Sequence, residues 1–203
     1  MTRVFLASRN AKKLVEMQRI LAEHIDAVEI VGLDDVMDYA EPVEDQPTFE
    51  GNALLKARAG FAATGLPTIA DDSGLCVGAL NAMPGVLSAR WSGPPKNDER
   101  NNELLLAQLS DVPDERRDAW FECAVAFVGA DGAELVEHGR MPGRIIRAPR
   151  GSGGFGYDVV FVADEHAEAD LTSAELDPAE KDRISHRGHA LRALAPRIAA
   201  ALS

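Results

Sequence analysis

Two adjacent aspartates that follow an apolar segment constrain this chain more than any other feature. The strand-like segment 67–70 leads into Asp71, Asp72, Ser73 and Gly74, and a second apolar run follows at once. Burying a carboxylate costs hydration energy, and a cation or hydrogen-bond donors must offset that cost. Paired carboxylates also provide the oxygen ligands that Mg²⁺ prefers. The segment therefore indicates either a metal-binding or catalytic site, or a polar turn in which Gly74 takes a positive φ.

The composition is that of a globular protein large enough to bury a core. The chain has 203 residues, 46% apolar and 27% charged, which predicts one large domain or two small lobes. No run of 18 apolar residues occurs, and we expect neither a membrane span nor a signal peptide. Cys76 and Cys123 lie in apolar runs without metal-ligand spacing, which predicts reduced core thiols, no zinc site and a cytoplasmic location.

The charge is strongly acidic and unevenly distributed. A net charge of −12 argues against nucleic acid as the main partner. Between Ile20 and Leu55 there is no Lys or Arg. Most carboxylates of this stretch are expected to face solvent, while one or two can turn inward to a metal. The carboxylates concerned are Asp34, Asp35, Asp38, Glu41, Glu44 and Asp45.

Strand and helix patterns alternate along the chain, which predicts an α/β fold. A hairpin turn at 131–132 indicates a mixed sheet. The predicted strands cover 4–7, 28–31, 119–127, 134–137 and 159–162, and the predicted helices begin near 11, 49, 98, 178 and 189.

The polar turn after the first strand suits a phosphate. Backbone N–H groups at the start of a helix are free to bind an anion, Asn10 can donate and Lys13 can neutralise charge. The alternative is a helix cap with surface lysines. Asn52 and Lys56 share one face of a helix that Thr48 can cap, although a lone helical lysine is usually solvated.

Two further segments carry candidate binding groups. The segment 151–158 has four glycines in six residues, so its backbone can approach a ligand closely, and Phe155 and Tyr157 offer stacking faces. The alternative is a flexible surface loop. His186 and Arg187 are adjacent before the last predicted helix and can contribute to binding. The alternative is that both are solvent-exposed surface residues without a binding role.

Six motifs together give the chain a resemblance to a known family. They are S-R-N-A-K-K at 8–13, T-F-E-G-N-A-L-L-K-A-R at 48–58, A-D-D-S-G-L at 70–75, P-G-V-L-S-A-R-W-S-G at 84–93, G-S-G-G-F-G-Y-D at 151–158 and A-E-K-D-R-I-S-H-R-G at 179–188. In this order the chain resembles the inosine/xanthosine triphosphate pyrophosphatases, the Ham1-like house-cleaning nucleotide hydrolases.

The resemblance implies a fold and an activity. The expected fold is a single α/β domain over 1–203, two-lobed, with a long, mostly antiparallel mixed sheet flanked by helices and a central active-site cleft. The expected working unit is a homodimer. The expected reaction is the Mg²⁺-dependent hydrolysis of ITP, dITP and XTP to the monophosphate and pyrophosphate, which cleanses the nucleotide pool.

The resemblance also implies roles for individual residues. Metal binding falls on Glu44 and Asp72, and Asp72 is in addition the catalytic base. Phosphate binding falls on Ser8, Asn10, Lys13, Lys56 and Ser73. Binding of the purine falls on Phe155, Gly156, Tyr157, Asp158, Lys181, His186 and Arg187. Two residues depart from the family pattern: Arg9 replaces a small residue, and Val159 stands where proline commonly follows F-G-Y-D.

Two other functions remain open at this point. A related fold serves pyrophosphatases that act on modified pyrimidine nucleotides, although F-G-Y-D and S-H-R-G fit that group poorly. A non-catalytic purine nucleotide sensor would keep the same pocket, although intact Glu44, Lys56 and Asp72 speak against it.

Overall fold

The computed structural model describes residues 2–9, 11–36 and 41–202, and of Ala11, Lys12, Glu16 and Asp34 the backbone alone. The described residues form six strands and five α-helices joined by loops and short 3₁₀ turns. The strands are β1 (Thr2–Leu6), β2 (Val28–Val31), β3 (Thr68–Val77), β4 (Asp118–Val128), β5 (Glu134–Ile145) and β6 (Phe161–Ala163). The helices are α1 (Ala11–Ala22), α2 (Phe49–Thr64), α3 (Asp98–Gln108), α4 (Pro178–Ile184) and α5 (His186–Ala201).

The strands form one mixed sheet in the order β2-β1-β3-β4-β5-β6. β1 pairs in parallel with both β2 and β3, while β5 and β6 pair antiparallel. β4 and β5 are neighbours joined by a tight loop, in which the Gly129 N–H donates to the Ala133 carbonyl at 2.8 Å and Gly132 has φ of 79°. The α/β class and the mixed sheet predicted from the sequence are confirmed.

One prediction about the aspartate segment is wrong. Asp71, Asp72, Ser73 and Gly74 do not form a turn but lie inside β3, which continues without interruption from Thr68 to Val77. β3 lies between β1 and β4 in the sheet, and β1 pairs with its first residues, Thr68 and Ile69. The polar side chains are compatible with this central strand because charged and amide groups nearby compensate them. β6 likewise begins at Phe161, two residues later than predicted, because a 3₁₀ turn occupies Asp158–Val160.

The helix ends follow the local sequence signals. The Thr48 hydroxyl accepts the Gly51 N–H at 3.0 Å, and α2 ends at Gly65 with φ of 68°. The Asn97 side chain accepts the Arg100 N–H at 2.8 Å and caps α3. Asp177 caps α4 in the same way. In the part of the chain that the structure describes, no helix combines the length and the apolar character that crossing a membrane requires.

The chain divides into two compact units, each with its own core. Unit 1 contains residues up to Asp72, then Cys123–Gly139 and the segment from His189 onward, and its core includes Val4, Met17 and Phe127. Unit 2 contains Ser73–Glu122 and Arg140–Gly188, and its core includes Leu105 and Phe161. Both cysteines are buried, reduced thiols. The single domain with two lobes and a central cleft stays a prediction.

Candidate active site

The two aspartates of β3 have different partners. Successive residues of a strand point to opposite faces, so Asp71 and Asp72 face different surroundings. The Asp71 side chain is 1% exposed, and Lys13 Nζ lies 2.8 Å from each of its carboxylate oxygens. Lys13 comes from the first turn of α1. The lysine that the sequence associates with phosphate therefore compensates a buried carboxylate in this structure.

Asp72 lies beside the polar face of α2. The Asn52 amide donates to Asp72 Oδ2 at 2.9 Å, and Lys56 Nζ lies 3.9 Å from Asp72 Oδ1. The same ammonium donates to Glu44 Oε1 at 2.6 Å. Asn52 and Lys56 are one helical turn apart, as their spacing predicts. Lys56 is 16% exposed at the side chain, so it is not the solvated lysine of the alternative interpretation.

Burial and charge shift the pKa values of this cluster. Burial raises the pKa of Asp72, and the charges of Glu44 and Asp71 act in the same direction, against the opposing effects of Lys56 and the Asn52 hydrogen bond. Burial alone would lower the pKa of Lys56, but the charges of Asp71 and Asp72 and the hydrogen bond to Glu44 raise it above its ordinary value. Lys56 is therefore a permanent cation, and Asp72 is a stronger base than an exposed aspartate.

The cluster fits a hard divalent cation. Glu44 and Asp72 both reach the one ammonium of Lys56, so their oxygens are already directed at a shared positive charge. Among the residues described here, no three or more His, Cys, Asp or Glu side chains form a metal-binding group. Mg²⁺ is commonly held by one or two carboxylates together with water and substrate phosphates, whereas a structural zinc site takes four protein ligands. Two convergent carboxylates without a sulfur or imidazole ligand match the first pattern.

The turn after β1 is described only in part. Ser8 is half-buried, and its N–H donates to the Leu6 carbonyl at 2.8 Å. Asn10 lies outside the described residues. Arg9, the departure from the family pattern, is exposed and pairs with Glu41. Its long side chain is thus directed at an acidic residue of unit 1.

The glycine-rich segment of unit 2 ends in a turn that Asp158 holds by hydrogen bonds. Asp158 accepts the Phe155 N–H at 2.7 Å and also receives a hydrogen bond from Lys181. A Cβ on Gly154, where φ is 74°, would stand 2.2 Å from Asp158 Oδ2 and 2.8 Å from Lys181 Nζ. Only glycine leaves room there for the ion pair. Val159, the second departure, lies in the 3₁₀ turn Asp158–Val160, and its carbonyl accepts the Arg150 N–H at 2.8 Å.

The two aromatic residues of the segment occupy different environments. Phe155 is 54% exposed, and Lys181 Nζ lies 5.3 Å from its ring centroid, within the range of a cation–π contact. Tyr157 is buried and donates its hydroxyl to the Ser88 carbonyl at 2.9 Å, and burial raises its pKa. Phe155 therefore offers a face for stacking, whereas the Tyr157 ring packs in the core of unit 2.

The S-H-R-G segment packs against β3 and β4 within unit 2. The His186 ring stacks on Phe121 with centroids 5.1 Å apart and an interplanar angle of 14°. Arg187 is 9% exposed, and its Nη2 lies 3.4 Å from Ser73 Oγ. The structure thus brings together a predicted phosphate-binding residue and a predicted purine-binding residue.

Comparison with known proteins identifies the family of this chain. The model of the Ham1 family matches residues 4–197. The chain belongs to the Ham1 family. It is 61% identical over 201 residues to a dITP/XTP pyrophosphatase of Nocardia farcinica, covering 98% of this chain and 96% of that protein. A second dITP/XTP pyrophosphatase, from Cutibacterium acnes, is 56% identical over 202 residues, covering 100% of this chain and 98% of that protein.

Solved structures of Ham1 proteins share the fold. A nucleoside-triphosphatase/dITP/XTP pyrophosphatase from Mycobacterium abscessus superposes with a TM-score of 0.80 at 54% identity, covering 96% of this chain and 100% of that chain. A HAM1 protein from Coxiella burnetii gives a TM-score of 0.87 at 40% identity, covering 99% and 100%. The inference of family and fold from sequence motifs is confirmed.

Sequence reasoning missed several polar residues around the Ham1 motifs. The pairing of Asp71 with Lys13 has no sequence signal, because 58 residues separate the two. The sequence also did not predict the side-chain contacts of three polar residues of α3. These residues are Asp98, Asn101 and Asn102. Asn101 and Asn102 are almost fully buried in the structure. A sequence signal did exist, since amides on the apolar side of a short helix need buried partners.

Proposed function

We propose that this chain hydrolyses the triphosphates of non-standard purine nucleosides, ITP, dITP and XTP, to the monophosphate and pyrophosphate. The observation that carries the proposal is full-length similarity to dITP/XTP pyrophosphatases, together with the cluster of Asp72, Lys56 and Glu44 in this structure. The reaction breaks the anhydride bond between the α and β phosphates, and one water molecule is consumed. Pyrophosphate, not orthophosphate, is therefore the diagnostic product.

Asp72 is the proposed catalytic base. Water is a poor nucleophile, and a carboxylate within hydrogen-bond reach can orient it and take its proton. Burial raises the pKa of Asp72, which makes it a better proton acceptor than a solvated carboxylate. The Asn52 amide donates to Asp72 Oδ2 and fixes the orientation of the carboxyl group.

Glu44 and Asp72 are the proposed ligands of Mg²⁺. A bound divalent cation would supply charge neutralisation for the triphosphate and for these two carboxylates, which Lys56 provides in part here. Lys13, Lys56, Ser8, Asn10 and Ser73 are the proposed phosphate-binding residues. A triphosphate carries about four negative charges, so cations are required to bring it near the acidic groups of this chain.

The purine is proposed to be recognised by residues of unit 2. Phe155 provides an exposed stacking face, while Asp158 and Lys181 form the ion pair beneath it. Arg187 is a permanent donor suited to the C6 carbonyl of hypoxanthine and xanthine, and an adenine amino group would leave that donor unmatched. An unmatched buried donor is costly, which disfavours ATP. His186, Gly156 and Tyr157 complete the proposed set.

Further properties follow as proposals from the same family and composition. The working unit is a homodimer and the location is cytoplasmic, consistent with two buried, reduced thiols. The net charge of −12 disfavours nucleic acid as a partner.

A nucleotide panel tests the function directly. The purified chain is incubated with Mg²⁺ and dITP, ITP, XTP, GTP, ATP or modified pyrimidine triphosphates, and pyrophosphate and orthophosphate are measured separately. We expect pyrophosphate from the first three nucleotides and little from ATP. Asp72→Asn should remain folded and lower kcat about 10²-fold or more. Release from modified pyrimidines alone would favour the other pyrophosphatase class, and binding of ITP without any release would indicate a sensor.

A further inference from the structure

The glycine turn of unit 2 is attached to α3 through a single residue, Gly156. Asp98 Oδ2 accepts the Gly156 N–H at 2.8 Å, and Asn102 Nδ2 donates to the Gly156 carbonyl at 2.8 Å. The same Asn102 amide donates to the Asp98 carbonyl, also at 2.8 Å. Both backbone polar groups of Gly156 thus bind side chains that lie one helical turn apart on α3.

The polarity of these contacts is fixed by the structure. Asn102 is 5% exposed, and two carbonyl oxygens face its Nδ2, so only the amide nitrogen can stand in that position. Asn102 Oδ1 is buried and makes no hydrogen bond to any described residue. The side chain therefore acts purely as a donor, to the Gly156 carbonyl and to the Asp98 carbonyl of its own helix.

Gly156, which α3 holds at both its N–H and its carbonyl, lies between the proposed purine-binding groups. Phe155 precedes Gly156, and the Tyr157 and Asp158 side chains follow it. Gly156 has φ of 61°, a left-handed conformation that most residues avoid and that the two contacts stabilise. Because the Gly156 N–H and carbonyl both bind α3, the two peptide units on either side of Gly156 are held by the protein. The first of these units begins at Phe155 and the second leads into Tyr157 and Asp158, so together they set the directions of these neighbours.

We infer that Asp98 and Asn102 are positioning residues for purine recognition, acting through the backbone N–H and carbonyl of Gly156. The inference rests on the proposed function and deepens it, since it adds two specificity-supporting residues from a helix outside the family motifs. Asp98 supplies the acceptor and Asn102 the donor. The arrangement keeps Phe155 and Asp158 in place before a nucleotide arrives, so less ordering is required on binding.

Asn101 provides a matched control on the same helix. It is 2% exposed, and its amide also makes side-chain contacts to backbone, accepting the Ser92 N–H at 2.8 Å and donating to the Ala89 carbonyl at 3.3 Å. It does not contact Gly156 among its recorded hydrogen bonds in the described chain. Its amide also donates to the Ser88 carbonyl at 3.4 Å, which accepts the Tyr157 hydroxyl as well. Asn101→Ala thus removes a comparable buried amide while both hydrogen bonds to Gly156 stay in place.

The test compares ligands with and without a base. Binding of IMP and of inorganic tripolyphosphate is measured by calorimetry for wild type, Asn102→Ala, Asn102→Asp, Asp98→Asn and Asn101→Ala, each verified as folded at the working temperature. Asn102→Ala should weaken IMP about tenfold, the usual effect of losing a hydrogen bond of this kind, and leave tripolyphosphate within about twofold. Asn102→Asp should weaken IMP binding more than Asn102→Ala does, because it places an oxygen opposite two carbonyl oxygens. Asp98→Asn should stay near wild type, because a carboxamide oxygen still accepts the Gly156 N–H.

A second readout needs no ligand. Amide hydrogen exchange of residues 153–158 should accelerate in Asn102→Ala and not in Asn101→Ala. Unchanged exchange and unchanged IMP affinity in a folded Asn102→Ala protein would overturn the inference, and so would an equal loss for IMP and tripolyphosphate. If wild type released no pyrophosphate from dITP, the proposed function would fall, while the exchange measurement would still decide whether α3 holds the turn.

Discussion

Replacing Lys13 by methionine should destabilise the protein by about 3 kcal/mol when neither nucleotide nor metal is present. Lys13 Nζ bonds both oxygens of Asp71, and the Asp71 side chain is 1% exposed. Removing one partner of a buried pair typically costs about 3–5 kcal/mol, because an uncompensated charge remains. The lower end applies here, because Lys56 is near enough to interact electrostatically with Asp71.

Protonation of Asp71 sets an upper limit on this cost. Protonating a carboxyl with the ordinary aspartate pKa of about 3.9 costs about 4 kcal/mol at pH 7 and about 1.5 kcal/mol at pH 5. In Lys13→Met the buried carboxyl favours its neutral form, so its pKa is raised above the unfolded value and stability is lost as pH rises. The difference in unfolding free energy between wild type and variant should therefore shrink from pH 7 to pH 5.

Urea unfolding in EDTA measures the effect, and a double-mutant cycle assigns it to the pair. Lys13→Met combined with Asp71→Asn should recover most of the lost stability, since no buried charge remains. Arg19→Met is the control on the same helix, because Arg19 is more than half exposed and lies 4.0 Å from Glu23. It should cost less than about 0.5 kcal/mol. If Lys13→Met behaved like Arg19→Met, the pairing would contribute nothing to stability and Lys13 would be a phosphate ligand alone.

Three further predictions concern the metal, the purine and a buried thiol. Glu44→Gln should raise the Mg²⁺ concentration for half-maximal rate about tenfold or more, whereas Asp35→Asn should not, and equal shifts would indicate only a diffuse acidic field. Arg187→Ala should narrow the ratio of kcat/KM for ITP to that for ATP, whereas Phe155→Ala should weaken both nucleotides alike; the reverse pattern would exchange their roles. Burial raises the pKa of Cys76 to about 12 from an unfolded value near 9.0, so the unfolded state loses its proton first and stability falls as pH rises above 9. By pH 10 the unfolding free energy of wild type should fall by about 1.4 kcal/mol more than that of Cys76→Ala, measured by urea titration, and parallel curves would contradict the shift.

The sequence alone determined the family, the α/β class and the starts of most helices. These depend on local rules: Thr48 and Asn97 cap helices by bonding their own backbone, and Gly65 ends α2 because it tolerates a positive φ. The shared face of Asn52 and Lys56 also follows from helical spacing alone, and the structure shows both beside Asp72. Such features need only a few consecutive residues, so the sequence contains them in full.

Contacts between distant segments decided the rest. Asp71 to Gly74 look like a turn locally, but they continue β3, a strand that lies between β1 and β4 in the sheet. Arg117 gives no sequence signal, yet it is buried and donates to the carbonyls of Leu109, Ile145 and Ile146. The energy of such arrangements depends on which groups the fold brings within hydrogen-bond distance, and no local pattern encodes that.

The candidate site shows the same division. The residue types at Glu44, Lys56 and Asp72 indicate metal and phosphate chemistry from the sequence. Only the tertiary structure showed that Lys13 pairs with Asp71. It also showed that Phe155 is exposed while Tyr157 is buried, and that the glycine turn is hydrogen-bonded to α3. The reason is physical: a side chain's chemistry is fixed by its covalent structure, whereas its burial, charge partners and pKa are fixed by neighbours that folding alone brings together.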